Sequence, residues 1–333
     1  MSVNNPRTIR FLSADDVRRA LRMTEAVEAM KSAFRELSEN RVVVPMRAHV
    51  PVPENKGDIL IMPAYSPATA RFGLKVITLF ADNPSLDLPF IQAMVMLYDA
   101  ATGSPLAIME GTALTAIRTG AGCGAATDLL ARDDVRKAAI FGAGIQSRTQ
   151  LEAVCAVRPI REASVIDQDF ARAAIFAREI TAQLGITVTV AGTSAEALAG
   201  AGVICTATTS STPVFADSEV ADGTHINAIG SYKPHMREIP PETVVRSYLV
   251  VDRTSAAWEE AGDLIMPLND GLIGKDHVRA ELGEIVAGTK PGRPHPAAVT
   301  LFKSVGNAIQ DLAAASLVLA NAEKLGLGTT VRL

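Results

Sequence analysis

The stretch that decides the fold is residues 137–147, KAAIFGAGIQS, where a short apolar run breaks into Gly142 and Gly144 and leads into a helix-like segment. Glycines permit the tight turn and close backbone approach that a pyrophosphate needs, and a helix N-terminus offers free N–H groups and a positive dipole end. Ser147 stands where the common fingerprint has its third glycine. Taken alone, the stretch therefore fits either a dinucleotide site or an ordinary turn between a strand and a helix.

Asp167 decides between these alternatives. It ends a second strand-like run, residues 163–167, at about the 20-residue distance from the glycines at which a carboxylate binds the ribose hydroxyls of NAD. The combination predicts that Gly142, Gly144 and Asp167 bind a dinucleotide. Asp167 also favours NAD(H), because a carboxylate repels the additional phosphate of NADP(H). Gln168 and Arg172 nearby leave NADP(H) open as a second cofactor.

The surrounding pattern predicts a parallel, doubly wound sheet, because short β-rich runs alternate with amphipathic stretches from about residue 132 to 251. Predicted strands are residues 137–141, 163–167, 187–190, 203–206, 225–229 and 248–252. Predicted helices are residues 146–157, 170–184 and 194–198. Loops leaving the carboxyl ends of such strands face the cofactor, and this applies to residues 206–210 and 227–234.

The first part of the chain has an α+β pattern without a nucleotide signature. Two capped helices, beginning near Ser13 and Met23, precede predicted strands. These strands are residues 42–52, 58–64, 71–80, 91–99 and 104–109. One helix is predicted at 111–130 and a terminal helix at 301–324. We therefore predict an α/β protein in which a Rossmann-type domain, residues 121–304, is inserted in an α+β substrate-binding and dimerisation domain, residues 1–120 plus 305–333.

Composition excludes several classes of protein. A net charge of −4 gives no basic excess for nucleic acid. The sequence shows neither a signal peptide nor an apolar run of the ~18 residues that cross a bilayer, so no membrane partner is expected. The three cysteines, Cys123, Cys155 and Cys205, have unrelated spacings and are expected to be free thiols in a reducing cytoplasm. The five histidines are scattered, so no metal site is expected.

Three cations stand in otherwise apolar surroundings in the first part of the chain: Arg47, Lys75 and Arg118. A cation that cannot reach water must meet an internal carboxylate or an anionic ligand. Arginine fits a carboxylate or phosphate with its planar fork, whereas lysine acts as a point charge and proton donor. A snorkelling surface residue is an equally good interpretation of each cation taken alone.

Together, these segments resemble the ornithine cyclodeaminase/mu-crystallin family across nearly the whole chain. The motifs that carry the resemblance are MPAY at 62–65, FGLK at 72–75, GTALTAIRTGA at 111–121, FGAGIQS at 141–147, NAIG at 227–230, AGDL at 261–264 and LFKSVG at 301–306. The resemblance implies a homodimer built through the first domain. It also implies that Arg47 and Lys75 bind the substrate and that Arg118 and Thr119 lie where substrate meets cofactor. Further implied cofactor contacts are Ile145, Gln146, Asp167, Thr208 and Ser304.

The family includes cyclodeaminases, alanine dehydrogenases and cyclic ketimine reductases, and one departure helps to choose among them. Cyclodeaminases carry an acid/base aspartate where this chain has Tyr232, and a second carboxylate at the position of Leu60 or Ile61. Cyclisation needs a group that exchanges protons near neutral pH, and tyrosine has a reference pKa of about 10. Mu-crystallin-like members also lack the aspartate and are associated with ketimine reduction.

The leading hypothesis is therefore an NAD(P)H-dependent reductase of a small cyclic imino acid, with Lys75, Arg47 and Arg118 as its catalytic cations. Its substrates would be Δ1-pyrroline-2-carboxylate or Δ1-piperideine-2-carboxylate, and its products proline or pipecolate. The alternatives are an alanine or N-alkyl amino-acid dehydrogenase, a non-catalytic binding protein, and a true ornithine cyclodeaminase.

Overall fold

The computed structural model describes residues 8–333, and the chain folds as two compact units. The first unit comprises residues 8–118 and Asn307–Leu333, and the second comprises Thr119–Gly306. The chain thus leaves the first unit once and returns to it.

The first unit is built on one seven-stranded sheet. Its strands are β1 (Thr8–Leu12), β2 (Ala48–Val52), β3 (Gly57–Ser66), β4 (Arg71–Phe80), β5 (Ile91–Asp99), β6 (Pro105–Glu110) and β15 (Thr329–Arg332). They lie in the order β15-β1-β6-β5-β4-β3-β2, and all neighbours are antiparallel except β1 and β6. The long β3–β4–β5 meander provides the surface on which the helices pack.

The helices of the first unit cover this sheet. They are α1 (Ala14–Ala20), α2 (Met23–Ser38), the beginning of α3 (Gly111–Leu130) and α11 (Ala308–Leu325). Ser13 begins α1 with a capping box, since its hydroxyl accepts from the Asp16 N–H while Asp16 accepts from the Ser13 N–H. The Glu110 carboxylate accepts the N–H groups of Thr112 and Ala113 at the start of α3. Helix α11 packs on α2, β3 and β4.

The second unit contains an eight-stranded sheet in which every pair is parallel. Its strands are β7 (Lys137–Phe141), β8 (Glu162–Ile166), β9 (Thr187–Val190), β10 (Val203–Thr206), β11 (His225–Ala228), β12 (Tyr248–Val251), β13 (Val278–Glu281) and β14 (Thr300–Lys303). Its further helices are α4 (Ile145–Val157), α5 (Phe170–Leu184), α6 (Ser194–Leu198), α7 (Pro241–Arg246), α8 (Thr254–Glu260), α9 (Gly262–Asn269) and α10 (Leu282–Val286).

The order β13-β12-β14-β11-β10-β7-β8-β9 contains the doubly wound arrangement, with the reversal of strand order at β7. Both faces of this sheet are buried. Ala139 and Phe141 of β7 belong to one apolar cluster, and Ala138 and Ile140 belong to another. Alternate residues of a strand point to opposite faces, so β7 contributes to both cores. The predicted α/β fold class is confirmed.

Two local predictions were wrong. The helix predicted at 301–324 begins only at Ala308, because residues 300–303 form β14, a fully buried strand between β12 and β11. The segment TLFK has no period that distinguishes a strand from a helix, and the helical pattern that follows it hid the boundary. The strand predicted at 42–52 is limited to Ala48–Val52, with an isolated bridge between Val43 and Tyr65 before it. Strands β1, β13 and β15 were not predicted.

Candidate active site

The glycine turn after β7 forms a candidate site in the second unit. Gly142 has φ +94°, a conformation that other residues rarely adopt, and a Cβ atom there would lie 2.9 Å from the carbonyl oxygen of Ala207. Gly144 is the N-cap of α4, has extended backbone and makes no side-chain cap. A Cβ atom on Gly144 would meet nothing within 4 Å among the described residues. The turn therefore presents the open N-terminus of a 13-residue helix, which suits a pyrophosphate.

Asp167 directly follows β8 and folds back onto the glycine turn. Its Oδ2 accepts the Ala143 N–H at 2.7 Å, and its Oδ1 accepts from Arg172 at 2.6 Å and from the Asp169 N–H at 2.9 Å. Burial opposes ionisation of this carboxyl, but the hydrogen bonds from Arg172, Asp169 and Ala143 together lower its pKa. Asp167 is thus an ionised acceptor beside the turn, as ribose hydroxyls require.

The other predicted cofactor residues have different environments. Ile145 is exposed, and the buried Oε1 of Gln146 has no hydrogen-bond partner among the described residues. Thr119 is buried on α3, and the Thr208 N–H donates to Glu238. The Ser304 hydroxyl donates to Asp252 at 2.7 Å, so its proton is already used in a hydrogen bond within the protein. The open helix terminus, the ionised Asp167 and the orphaned Gln146 oxygen fit a dinucleotide.

A buried group of charges forms a candidate site in the first unit. Asp311, in the first turn of α11, has Oδ2 2.7 Å from the Lys75 Nζ and Oδ1 2.9 Å from the Arg118 Nε. The Arg118 Nη1 also donates to the Gln310 Oε1 at 3.1 Å. The side chains of Lys75, Arg118 and Asp311 are 1%, 6% and 3% exposed. One carboxylate therefore serves two buried cations.

The register of the sheet places Arg47 and Leu60 relative to Lys75. Lys75 of β4 pairs with Met62 of β3, and Arg47 directly precedes β2, whose first residue pairs with Ile61. Leu60, two residues before Met62, lies on the same sheet face as Lys75. Leu60 is one of the two positions, with Ile61, at which a cyclodeaminase would carry its second carboxylate. In this chain the side chain at that position is apolar.

The pKa of Lys75 is lowered to about 7. Burial is the main cause, Asp311 opposes it, and the positive charges of Arg118 and Arg47 lower the value further. A lysine with this pKa holds and releases a proton near neutral pH. The first unit therefore combines a positive potential for an anion with a group suited to proton transfer.

Sequence reasoning missed Asp311 and Gln310, which it assigned to the apolar terminal helix. A signal was present, because Asp311 is an acidic residue in a helix rich in Ala and Leu and must find a partner when buried. Tyr232, at the cyclodeaminase aspartate position, is half-buried in the loop after β11. Among residues 8–333 no cluster of His, Cys, Asp or Glu is suited to a metal ion.

A parallel doubly wound sheet with a glycine turn is typical of dinucleotide-dependent oxidoreductases, and the buried cations of the first unit are suited to a small anion. The chain belongs to the ornithine cyclodeaminase/mu-crystallin family, whose model matches residues 8–325. The resemblance inferred from the motifs is thereby confirmed.

Three similar proteins match this chain over almost its whole length. A Delta(1)-pyrroline-2-carboxylate reductase of Bacillus thuringiensis subsp. konkukian is 37% identical over 321 residues, covering 96% of this chain and 98% of that protein. The structure of the Thermococcus litoralis Delta(1)-pyrroline-2-carboxylate reductase in complex with NADH and L-proline has a TM-score of 0.93 at 42% identity, covering 97% of this chain and 100% of that chain. An archaeal alanine dehydrogenase dimer with bound NAD has a TM-score of 0.90 at 33% identity, covering 98% and 99%.

No helix within the described part of the chain has the length and apolar character needed to cross a bilayer.

Proposed function

We propose that this protein is an NADH-dependent reductase of a small cyclic imino acid, converting Δ1-pyrroline-2-carboxylate to proline or Δ1-piperideine-2-carboxylate to pipecolate. The observation that carries the proposal is the buried Lys75–Asp311–Arg118 group, with its excess of positive charge and a lysine of near-neutral pKa. Similarity to two Delta(1)-pyrroline-2-carboxylate reductases over almost the whole chain supports it.

The cations bind the substrate's carboxylate. The Arg118 Nε and Nη1 are held by Asp311 and Gln310, whereas its Nη2 makes no hydrogen bond to the described residues. A guanidinium fixed on one side can offer its remaining donors to a carboxylate without reorganisation. Arg47 adds positive potential beside Lys75. Since two buried cations share a single carboxylate, an anionic substrate balances the charge of the group.

Lys75 supplies the proton. Reduction of the C=N bond adds a hydride to the ring carbon and a proton to the ring nitrogen, so the reaction consumes one proton per NADH. The Lys75 Nζ holds that proton at a pKa of about 7 and donates it to the nitrogen, and solvent then restores it. A bound carboxylate favours the protonated lysine, so the substrate helps to prepare its own acid.

The second unit holds the cofactor. The N–H groups at the start of α4 receive the pyrophosphate, and Asp167 receives the ribose hydroxyls. When bound, the reduced nicotinamide supplies the hydride. We keep NADP(H) as a second cofactor of lower preference, because Arg172 is exposed and could turn from Asp167 to a phosphate.

Cyclodeamination is disfavoured by the residues at two positions. Tyr232 replaces the acid/base aspartate, and Leu60 presents an apolar side chain on the Lys75 face of the sheet. The near-neutral Lys75 can supply a proton for imine reduction, but neither position offers the carboxylate that ring closure uses.

A second candidate function is an alanine or N-alkyl amino-acid dehydrogenase. The observation that favours it is the similarity to the archaeal alanine dehydrogenase over 98% of the chain. The same cations would bind an open-chain 2-oxo acid after it condenses with an amine.

The test is NADH oxidation by the purified protein against three substrate sets. These are the two cyclic imino acids, pyruvate with ammonia or methylamine, and L-ornithine with NAD+ while ammonia is measured. We expect the highest kcat/KM with a cyclic imino acid. Faster turnover of pyruvate with an amine would replace the proposal by the second candidate, and ammonia release from ornithine would establish cyclodeamination despite Tyr232.

We also propose that the protein is a homodimer and acts in the cytoplasm. The first unit exposes large apolar side chains around β2 and β5, a feature typical of interaction surfaces. They are Val43, Met46, Val50, Leu86, Leu88, Phe90 and Met94. Cys123, Cys155 and Cys205 form no disulfide with one another, which suits a reducing compartment. Light scattering of the wild-type protein should give twice the chain mass of 35.1 kDa. A Leu86→Glu, Leu88→Glu double variant should give a mass closer to that of the single chain.

A further inference from the structure

A second buried charge cluster lies in the second unit and contacts the backbone of Thr208, one of the predicted cofactor residues. It consists of Glu238, Asp263 and Lys303, whose side chains are fully buried. The Asp263 Oδ2 lies 3.0 Å from the Lys303 Nζ, and its Oδ1 accepts the N–H groups of Glu238 and Ile239 at 2.7 and 3.0 Å. Ion clusters of this kind stabilise little relative to apolar packing, so a positional role explains them better.

Glu238 connects the ends of two neighbouring strands. Its Oε2 accepts the Thr206 hydroxyl at 2.8 Å and the Gly230 N–H at 2.7 Å, and its Oε1 accepts the Thr208 N–H at 2.5 Å. Thr206 ends β10, Thr208 lies in the loop that follows it, and Gly230 lies in the loop after β11. One side chain thus fixes both loops at the carboxyl edge of the sheet.

The space around these loops is closely filled. A Cβ atom on Gly230 would collide with the Thr208 carbonyl oxygen and the Glu238 carboxylate, and one on Gly262 would collide with the Met236 carbonyl oxygen. The carboxylate therefore lies directly against loop backbone, and its loss would free both loops together. Burial raises the pKa of Glu238, Asp263 adds to this, and Lys303 and the Thr208 N–H oppose it.

The position of these loops in the sheet identifies the half of the cofactor that they face. Asp167, after β8, marks the side of β7 that receives the adenosine ribose. Strands β10 and β11 lie on the other side of β7. A doubly wound fold binds a dinucleotide across this reversal, so the second mononucleotide faces the loops after β10 and β11.

We propose that Glu238, supported by Asp263 and Lys303, is a positioning residue that holds the loops after β10 and β11 for the nicotinamide half of the cofactor. This inference rests on the proposed function, since it requires NADH binding. It assigns Glu238 no contact with substrate or cofactor: its effect passes through the backbone of Thr208 and Gly230.

The test compares two ligands by calorimetry. NADH occupies both halves of the site, whereas adenosine monophosphate (AMP) occupies only the adenosine half. In Glu238→Gln an NH2 group replaces one acceptor oxygen, and we expect the Kd for NADH to rise about tenfold, which corresponds to about 1.4 kcal/mol. The Kd for AMP should stay within about twofold of the wild-type value, a change below about 0.5 kcal/mol. The matched control is Asp217→Asn, which removes a carboxylate that binds Thr243 and Arg246 elsewhere in this unit and should change neither Kd.

Thr206→Val and Thr206→Ser provide the second arm if Glu238→Gln does not fold. The valine removes one donor to Glu238 and should weaken NADH selectively, whereas serine keeps the hydroxyl and should restore binding. Equal weakening of both ligands, or an unchanged NADH affinity in Glu238→Gln and Thr206→Val, would overturn the inference. Failure of the wild-type protein to bind NADH would instead overturn the proposed function and, with it, this inference.

Discussion

Asp311 places its Oδ2 atom 2.7 Å from the Nζ atom of Lys75, and both side chains are almost fully buried in the first unit. The same carboxylate holds Arg118 through its other oxygen. Asp311 therefore orients the two cations. Its charge also raises the pKa of Lys75, whereas burial lowers that pKa. This pairing leads to predictions on pH dependence and on substrate binding.

The activity should depend on pH through Lys75. Its pKa of about 7 lies below the ordinary lysine value, and the reaction needs the protonated form. Consequently kcat/KM for the cyclic imino acid should be highest at low pH and fall as pH rises through about 7. A pH–rate series at low substrate concentration measures this, and a flat profile between pH 6 and pH 9 would exclude Lys75 as the proton donor.

Asp311→Asn should move that profile to lower pH. Asp311 raises the pKa of Lys75, so removing its charge while keeping its shape leaves burial, Arg118 and Arg47 to lower the pKa further. The midpoint of kcat/KM against pH is the quantity to compare. Glu36→Gln is the control, because Glu36 binds Ser66 in the same unit and should leave the midpoint unchanged. A midpoint that moves upward would contradict the role given to Asp311.

Arg118→Lys should impair substrate binding more than turnover. Lysine keeps the charge but loses the planar fork that Asp311 and Gln310 hold in place. We expect KM for the imino acid to rise about 10- to 100-fold, the effect of losing a charge-assisted hydrogen bond of ~1.5–3 kcal/mol. Arg71→Lys, whose guanidinium contacts the Ser316 carbonyl oxygen, is the matched control. An unchanged KM in Arg118→Lys would remove this residue from the carboxylate site.

Asp167→Ser should shift the cofactor preference toward NADPH. The substitution removes the charge that repels an additional phosphate and releases Arg172, now bound to Asp167 at 2.6 Å. The ratio of kcat/KM for NADH to that for NADPH should fall about 5- to 30-fold, as the loss of one or two hydrogen bonds of ~1 kcal/mol implies. If the wild-type protein itself prefers NADPH to NADH, the role given to Asp167 is wrong.

The second unit was largely predictable because its signals are local. The apolar run, Gly142, Gly144 and Asp167 lie within one strand–helix–strand segment, and their spacing determines their chemistry. All six predicted strands of the parallel sheet are present. The other two strands were missed, because β13 contains the charged residues Arg279 and Glu281 and β14 was assigned to the terminal helix.

The charge group of the first unit was predictable only in part. Buried cations in apolar surroundings identified Lys75 and Arg118, but their common partner Asp311 lies 193 positions from Arg118. Such a pairing depends on how α11 packs against β4, which the sequence pattern does not encode. Glu238 was missed for a similar reason, because its partner Thr206 ends β10 and its partner Gly230 lies in the loop after β11. The structure is therefore needed to show which side chains from different helices, strands and loops meet.

Substituting the two glycines of the turn should separate stability from cofactor binding. Gly142→Ala forces a side chain into φ +94° and against the Ala207 carbonyl oxygen, so we expect the free energy of unfolding to fall by about 1–2 kcal/mol. Gly144 has extended backbone, and a Cβ atom there would meet open space. Gly144→Ala should therefore leave thermal unfolding unchanged. Its methyl group would instead occupy the space through which the pyrophosphate approaches α4, and the Kd for NADH should rise about tenfold, or ~1.4 kcal/mol. Denaturant unfolding and NADH titration of both variants measure the two effects. A Gly144→Ala variant that binds NADH normally would show that the cofactor does not approach α4 at this glycine.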